Sequence, residues 1–323
     1  MLIEQGARII IQDWLFTKPD DVIHLITDET KLLEVDALAR VINNLGAIPR
    51  ITILPSKSIQ VGLTIDEMKD VLSYATAIVG ITSYSFVTTA VIKHLLRQGA
   101  RFISIPMHMT NGGSLLKEKF LAMDPLVAYR TGLPMLRCMR GANTLHITTR
   151  RGTDIHFDIR GRTPGIFYGM AHRNGACTSA SFEVYIPPNE IMTNGRVILD
   201  GSMGYIGLVE KPLELAFKDG YLSYIEPTVD GCRLKDYLDK FNDYRMYYAS
   251  EVGIGLNRLS RCRGISYVED ESTYGTFHIG LGRNITLGGK HNANGHFDIV
   301  IHQPTIMTEN AVIMKDGESC LRF

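Results

Sequence analysis

The sequence predicts an α/β N-terminal domain with a parallel sheet, followed by a strand-rich α+β C-terminal domain that binds metal. Three observations predict it. Apolar strands alternate with amphipathic helices over residues 1–106; the texture changes to short, alternating strands from about residue 145; and ligand-type side chains flanked by glycine gather near the C-terminus. The boundary falls near residue 140, dividing the chain into 1–140 and 141–323.

VIHLIT (22–27) reads as the first strand. LLEVDALARVINNLG then places Leu32, Val35, Leu38, Val41, Ile42 and Leu45 at helical spacing before a stop at Gly46. PRITIL (49–54), AIVGI (77–81) and RFISIP (101–106) are further strands, with a helix expected over 66–74 and another, TTAVIKHLLRQG, ending at Gly99. Continuous apolar strands joined by helices imply a parallel sheet covered on both faces. Beyond Leu145, LHITTRRGTDIHFDIRGR alternates polar and apolar residues about a turn at Arg151-Gly152, the pattern of an antiparallel hairpin. FEVYI, GRVILDG, GYLSYIE, FHIGLG and FDIVIH follow as short strands, interrupted by a helix over 231–241.

Composition narrows the function. Lys plus Arg equals Asp plus Glu at 34 each, so the chain lacks the basic footprint of a nucleic-acid or anionic-membrane partner. No apolar run approaches the roughly 20 residues needed to span a bilayer. The opening MLIEQGARIIIQDWLF has none of the features of a signal peptide. Five scattered cysteines without CxxC spacing fit reduced thiols in a cytoplasmic protein, and Cys177 reads as a packed thiol. Gly253-Ile254-Gly255 and Gly280-Leu281-Gly282 do not open helices, which argues against a dinucleotide cofactor.

The chemistry centres on His296-Phe297-Asp298. In a strand, His296 and Asp298 share one face while Phe297 packs behind. An imidazole and a carboxylate so placed can both ligate one cation. The same pattern recurs at His156-Phe157-Asp158, in a Thr/Arg-rich hairpin without comparable neighbours. Around the later motif, by contrast, Glu251 in EVGIGLN and His278 in FHIGLG lie beside Gly-x-Gly, where backbone can approach a bound group closely. His108, in SIPMHMTNGG, lies just past the carboxyl end of a parallel strand, where open α/β sheets place their crevices.

The ordered series PPNEIMTNGRVILDG, EVGIGLN, ESTYGTFHIGLG and GHFDIVI, with GARII and VIHLITDE before it, is similar to the superfamily of aminopeptidase T/S-type metallo-aminopeptidases and 2,5-dihydroxypyridine 5,6-dioxygenase. The resemblance implies metal ligands at Glu251, His278, His296 and Asp298, with Glu190 as a further carboxylate. The dioxygenase branch implies a single Fe(II), a small hydroxylated N-heterocycle and O2 as substrates, His108 as the proton-transferring residue, Met107 against the substrate ring, and Phe323 as an apolar wall. Glu251 departs from that branch, which offers histidine at the position. The aminopeptidase branch implies two divalent ions, zinc, cobalt or manganese, and short peptides as substrates. Here Ile285 stands in HIGLGRNI where that branch has a catalytic tyrosine. The dioxygenase reading is favoured, with leucyl aminopeptidase-like activity the alternative. The superfamily also implies a homo-oligomer.

Overall fold

A computed structural model of the chain describes residues 1–55 and 57–321. Its parallel sheet begins with Val22–Asp28, flanked by Ile48–Leu54 at one edge and by Ala77–Ile81 and then Arg101–Ser104 on the other side. Every residue of Ala77–Ile81 is buried, as a continuous apolar strand between two helical layers requires. The helix Leu32–Asn44 buries Val35, Leu38, Val41 and Ile42, the stripe read from the sequence.

Three local expectations are corrected. The helix over 66–74 is instead two short helices, Val61–Asp66 and Lys69–Leu72. Asp66 does not open a helix, because its carboxylate accepts from the Val91 N–H at the start of Ala90–Arg97 and from Arg283, both at 3.0 Å. The fourth strand is shorter than RFISIP, ending at Ser104. At the N-terminus, Ile3–Arg8 continues as a wider helix over Ile9–Trp14 that buries Ile10, Ile11 and Trp14, an element the sequence reading did not assign.

The second half forms two largely antiparallel sheets, of eight and seven strands. Thr144–Thr148 and Asp154–Asp158 make the expected hairpin. Val229–Asp239 is the expected helix, capped by Thr228, whose hydroxyl accepts from the Gly231 N–H at 3.0 Å.

The chain does not part cleanly at residue 140. Cys177–Ser179 returns to the first sheet and pairs in parallel with Arg101–Ser104 as its fifth strand. The helix Pro125–Met139 packs Gly132 against the second half so closely that a Cβ there would lie 2.6–2.8 Å from Ile166, Val184 and Leu256. Buried side chains from Trp14 and Leu25 through to Phe297 and Ile301 form one continuous core. Among the described residues, no helix is long and apolar enough to cross a membrane.

Candidate metal centre

Four neighbouring strands of the seven-stranded sheet carry the site: His296–His302, Thr276–Gly282, Ala249–Gly255 and Glu183–Ile186, in that order. Their register sets each ligand-type residue opposite a glycine. Glu251 faces Gly280, which faces Asp298; His278 faces Gly253; His296 faces Gly282; and Glu183 faces Gly255. Residues in register share a face, so five imidazole and carboxylate side chains project together. Val252, Ile254, Ile279, Leu281, Phe297 and Ile299 alternate with them, wholly apolar and buried.

The glycines make room for this crowd. A Cβ on Gly253 would stand 1.9 Å from His278 Nε2 and 2.6 Å from Glu183 Oε2. One on Gly280 would lie 2.8 Å from Asp298 Oδ1 and from His296 Cε1. The glycine-flanked segments of the sequence thus mark where side chains from adjacent strands need the space.

The donor atoms converge in two groups. Those of Glu183, Glu251 and His278 lie within 4.8 Å of one another, as do those of Glu251, His296 and Asp298, so Glu251 belongs to both. His278 Nε2 is 2.7 Å from Glu183 Oε2, and His296 Nε2 is 3.1 Å from Glu251 Oε2 and 3.2 Å from Asp298 Oδ1. Even so, Glu183 Oε2 and Asp298 Oδ1 are buried without an aligned hydrogen-bond donor. Orphaned carboxylate oxygens crowded around imidazole nitrogens are the donor set of a divalent cation, which the five residues fit. The His296 Nδ1–H donates to the Arg283 carbonyl at 2.8 Å, which fixes the ring and leaves Nε2 for a ligand. Each group pairs one imidazole with two carboxylates.

The electrostatics call for positive charge. Burial, and then the Glu183 carboxylate, push Glu251 up to about 7. Burial opposes the charged form of His278, but Glu183 outweighs it and raises the ring to about 10. Burial works against the Asp298 carboxylate too, yet the charges of His296 and His278 and the Tyr267 hydroxyl hold it at about 2.

The short helix Tyr267–Ser272 closes the site. The Tyr267 hydroxyl donates to Asp298 Oδ2, and its ring stacks on Tyr205 at 4.5 Å between centroids. Glu271, one turn on, lines the same cavity, its carboxyl pushed well above the usual carboxylate range by burial and by the Asp298 and Glu183 charges. Ser85, Ser179, Ser181, Phe167 and Leu287 complete walls around a space of about 20 Å³, room for a water-sized particle.

Of the residues expected from sequence, the structure brings together Glu251, His278, His296 and Asp298. Glu190 is not among them: its carboxylate pairs with Arg162 and accepts from the Lys290 N–H at 2.7 Å, while Glu183 stands with Glu251 and His278. Met107 is buried in the core, away from the cavity lining. His108 lies outside that lining as well, half-buried, stacked on Tyr84 at 5.5 Å and edge-on to Tyr205 at 5.7 Å, so that two tyrosine rings link it to Asp298. Phe323 falls outside the described residues. Cys177 is a packed thiol, pushed by burial up to about 12. Glu183, Tyr267 and Glu271 went unread, although Glu183 was legible as the single charge in the apolar strand FEVYI.

A family model described as 2,5-dihydroxypyridine 5,6-dioxygenase matches residues 18–320. The chain belongs to the 2,5-dihydroxypyridine 5,6-dioxygenase family. A curated member from Pseudomonas putida is 24% identical over 193 residues, which span 56% of this chain and 55% of that relative, about half its length. The fold is shared with the solved structure of the dioxygenase from P. putida KT2440, at a TM-score of 0.80 and 18% identity over 99% of this chain and 97% of that one. Wild-type AmpT from Thermus thermophilus matches with a TM-score of 0.66 and 13% identity, over 99% of both chains. The family match bears out the superfamily read from the sequence, and the shared fold bears out the fold class, a parallel α/β sheet together with strand-rich antiparallel sheets.

Proposed function

We propose that this chain is a ring-cleaving dioxygenase that acts on a small hydroxylated N-heterocycle of the 2,5-dihydroxypyridine kind, with O2 as co-substrate and Fe(II) as its metal. The observation that carries the reading is the family match across nearly the whole chain. Glu251, His278, His296 and Asp298, with Glu183 beside them, are the residues that would hold Fe(II), which would supply a Lewis-acidic anchor for adjacent donor atoms of the ring. His108 serves as the acid/base residue. Burial and the positive charges of Lys57 and Lys31 hold its ring below the usual histidine range, so it is neutral near pH 7 and can accept a proton from a ring hydroxyl. The five free cysteines support a reducing, cytoplasmic setting.

One observation favours a second reading. Two donor groups that share Glu251 suit a pair of divalent ions bridged by a carboxylate, the arrangement of a hydrolytic centre such as the aminopeptidase branch uses. Metal analysis of anaerobically purified protein separates the two. One iron per chain with oxygen uptake on 2,5-dihydroxypyridine supports the first. Two zinc, cobalt or manganese ions with release of an N-terminal residue from a dipeptide overturns it. Under the first reading, His108→Ala retains iron and loses about 10²- to 10⁴-fold in rate; full activity in that variant removes His108 from the mechanism.

A further inference from the structure

We propose a second, surface metal site, remote in sequence from the first, formed by His146, Asp154 and His156 and suited to a transition ion such as zinc, nickel or copper. His146 and His156 are cross-strand partners in the Thr144–Thr148/Asp154–Asp158 hairpin. Their rings lie nearly parallel, 9° apart, with centroids at 3.9 Å. Asp154 precedes His156 by two positions and so stands on the same face. Its Oδ1 is 2.8 Å from His146 Nε2 and 3.8 Å from His156 Nε2, and all three donors fall within 4.8 Å of one another.

His146 Nε2 and Asp154 Oδ1 share a hydrogen bond at 2.8 Å, which a cation would replace, and the spacings of the cluster suit one. Tetrahedral ligands at about 2.1 Å from a metal sit about 3.4 Å from each other. The two measured distances bracket that value, so small side-chain rotations complete the geometry. The sheet register fixes the backbone of all three residues beforehand. Two imidazoles and one carboxylate with open positions select borderline transition metals over calcium or magnesium. Arg196, in register with Asp154 on the next strand, does not take its place: the guanidinium is turned to the Gly152 carbonyl at 3.2 Å and to Glu214 at 3.8 Å. Asp158, the partner suggested by the His-x-Asp pattern, is instead held by Asn189 and by the Arg160 N–H. With His156 and Asp154 both about 60% exposed, the site is open to ions from solution.

The test is equilibrium dialysis of the metal-loaded protein against micromolar Zn²⁺ or Ni²⁺, with ions counted by mass spectrometry. Wild type is expected to take up one ion per chain beyond the central complement. The His146→Ala/His156→Ala double variant, which removes one half-buried and one exposed ring, should lose that ion while keeping its melting temperature. Asp154→Asn should weaken binding about tenfold, and His296→Ala should leave the surface ion in place. Equal uptake by wild type and the double variant, or no additional ion in wild type at 100-fold excess, overturns the proposal.

Discussion

Gly253 stands directly across the sheet from His278, and a single methyl group on it would lie 1.9 Å from the imidazole Nε2. The same methyl would meet Glu183 Oε2 at 2.6 Å. Gly253→Ala therefore has to displace both side chains, and the expected result is at least a tenfold loss of metal affinity, the scale of a disturbed ligand shell. Chelator competition on the purified variant measures it. Retention of wild-type affinity would show that neither His278 nor Glu183 reaches the metal.

The Tyr267 hydroxyl donates to Asp298, a candidate metal ligand. Tyr267→Phe keeps the ring and its stacking on Tyr205 but removes the donor. Metal affinity is expected to fall 10- to 100-fold with little change in melting temperature. A large drop in thermal stability at unchanged affinity would reduce Tyr267 to a packing role.

Glu183 and Glu190 offer a paired comparison, seven positions apart in sequence. Glu183→Gln is expected to lower metal content, because it removes a carboxylate from the donor group. Glu190→Gln should leave metal content intact and cost on the order of 2 kcal/mol of stability through the lost Arg162 and Lys290 interactions. Metal analysis and denaturant unfolding on both variants check the pair; a metal loss confined to Glu190→Gln would reverse the assignment.

Glu309 contributes to stability on the acid side. Its carboxylate accepts from the Asn143 N–H at 2.7 Å, the Thr144 N–H at 3.2 Å and the Asn143 side chain at 3.0 Å, which draw it down to about 2. An unfolded glutamate titrates near about 4.3. The native carboxylate is thus the stronger acid, and its contribution is full above about pH 5 and is lost as pH falls toward 2. Glu309→Gln should lower stability at pH 7 and flatten its decline between about pH 4 and 2. An unchanged acid limb in urea titrations would count against the contribution.

Much of this was legible in the residues, and the exceptions have physical causes. Continuous apolar runs revealed the parallel strands, which are covered on both faces, and period-3.6 spacing revealed the Leu32–Asn44 helix, which buries one face. Glycines beside Glu251 and His278 exposed the site, because packed ligand side chains leave no room for a Cβ across the ladder. The sequence did not show that Glu183 stands beside His278, since sheet register is fixed by pairings between distant segments. Glu190 carries the same functional group and lies close by in sequence, but a nearby arginine claims it. The twin motifs at His156 and His296 look alike along the chain; only cross-strand neighbours tell them apart.

Cys177–Ser179 gives the early α/β sheet its last strand from the late half of the polypeptide. During synthesis the first four strands emerge with an unfinished border, and that border stays open until the segment near residue 180 arrives. The strand bearing Glu183 follows directly. The completed first sheet therefore tethers Glu183, a candidate ligand, so a truncated N-terminal half would be prone to aggregate and a C-terminal half alone would lack the anchor that orients that carboxylate.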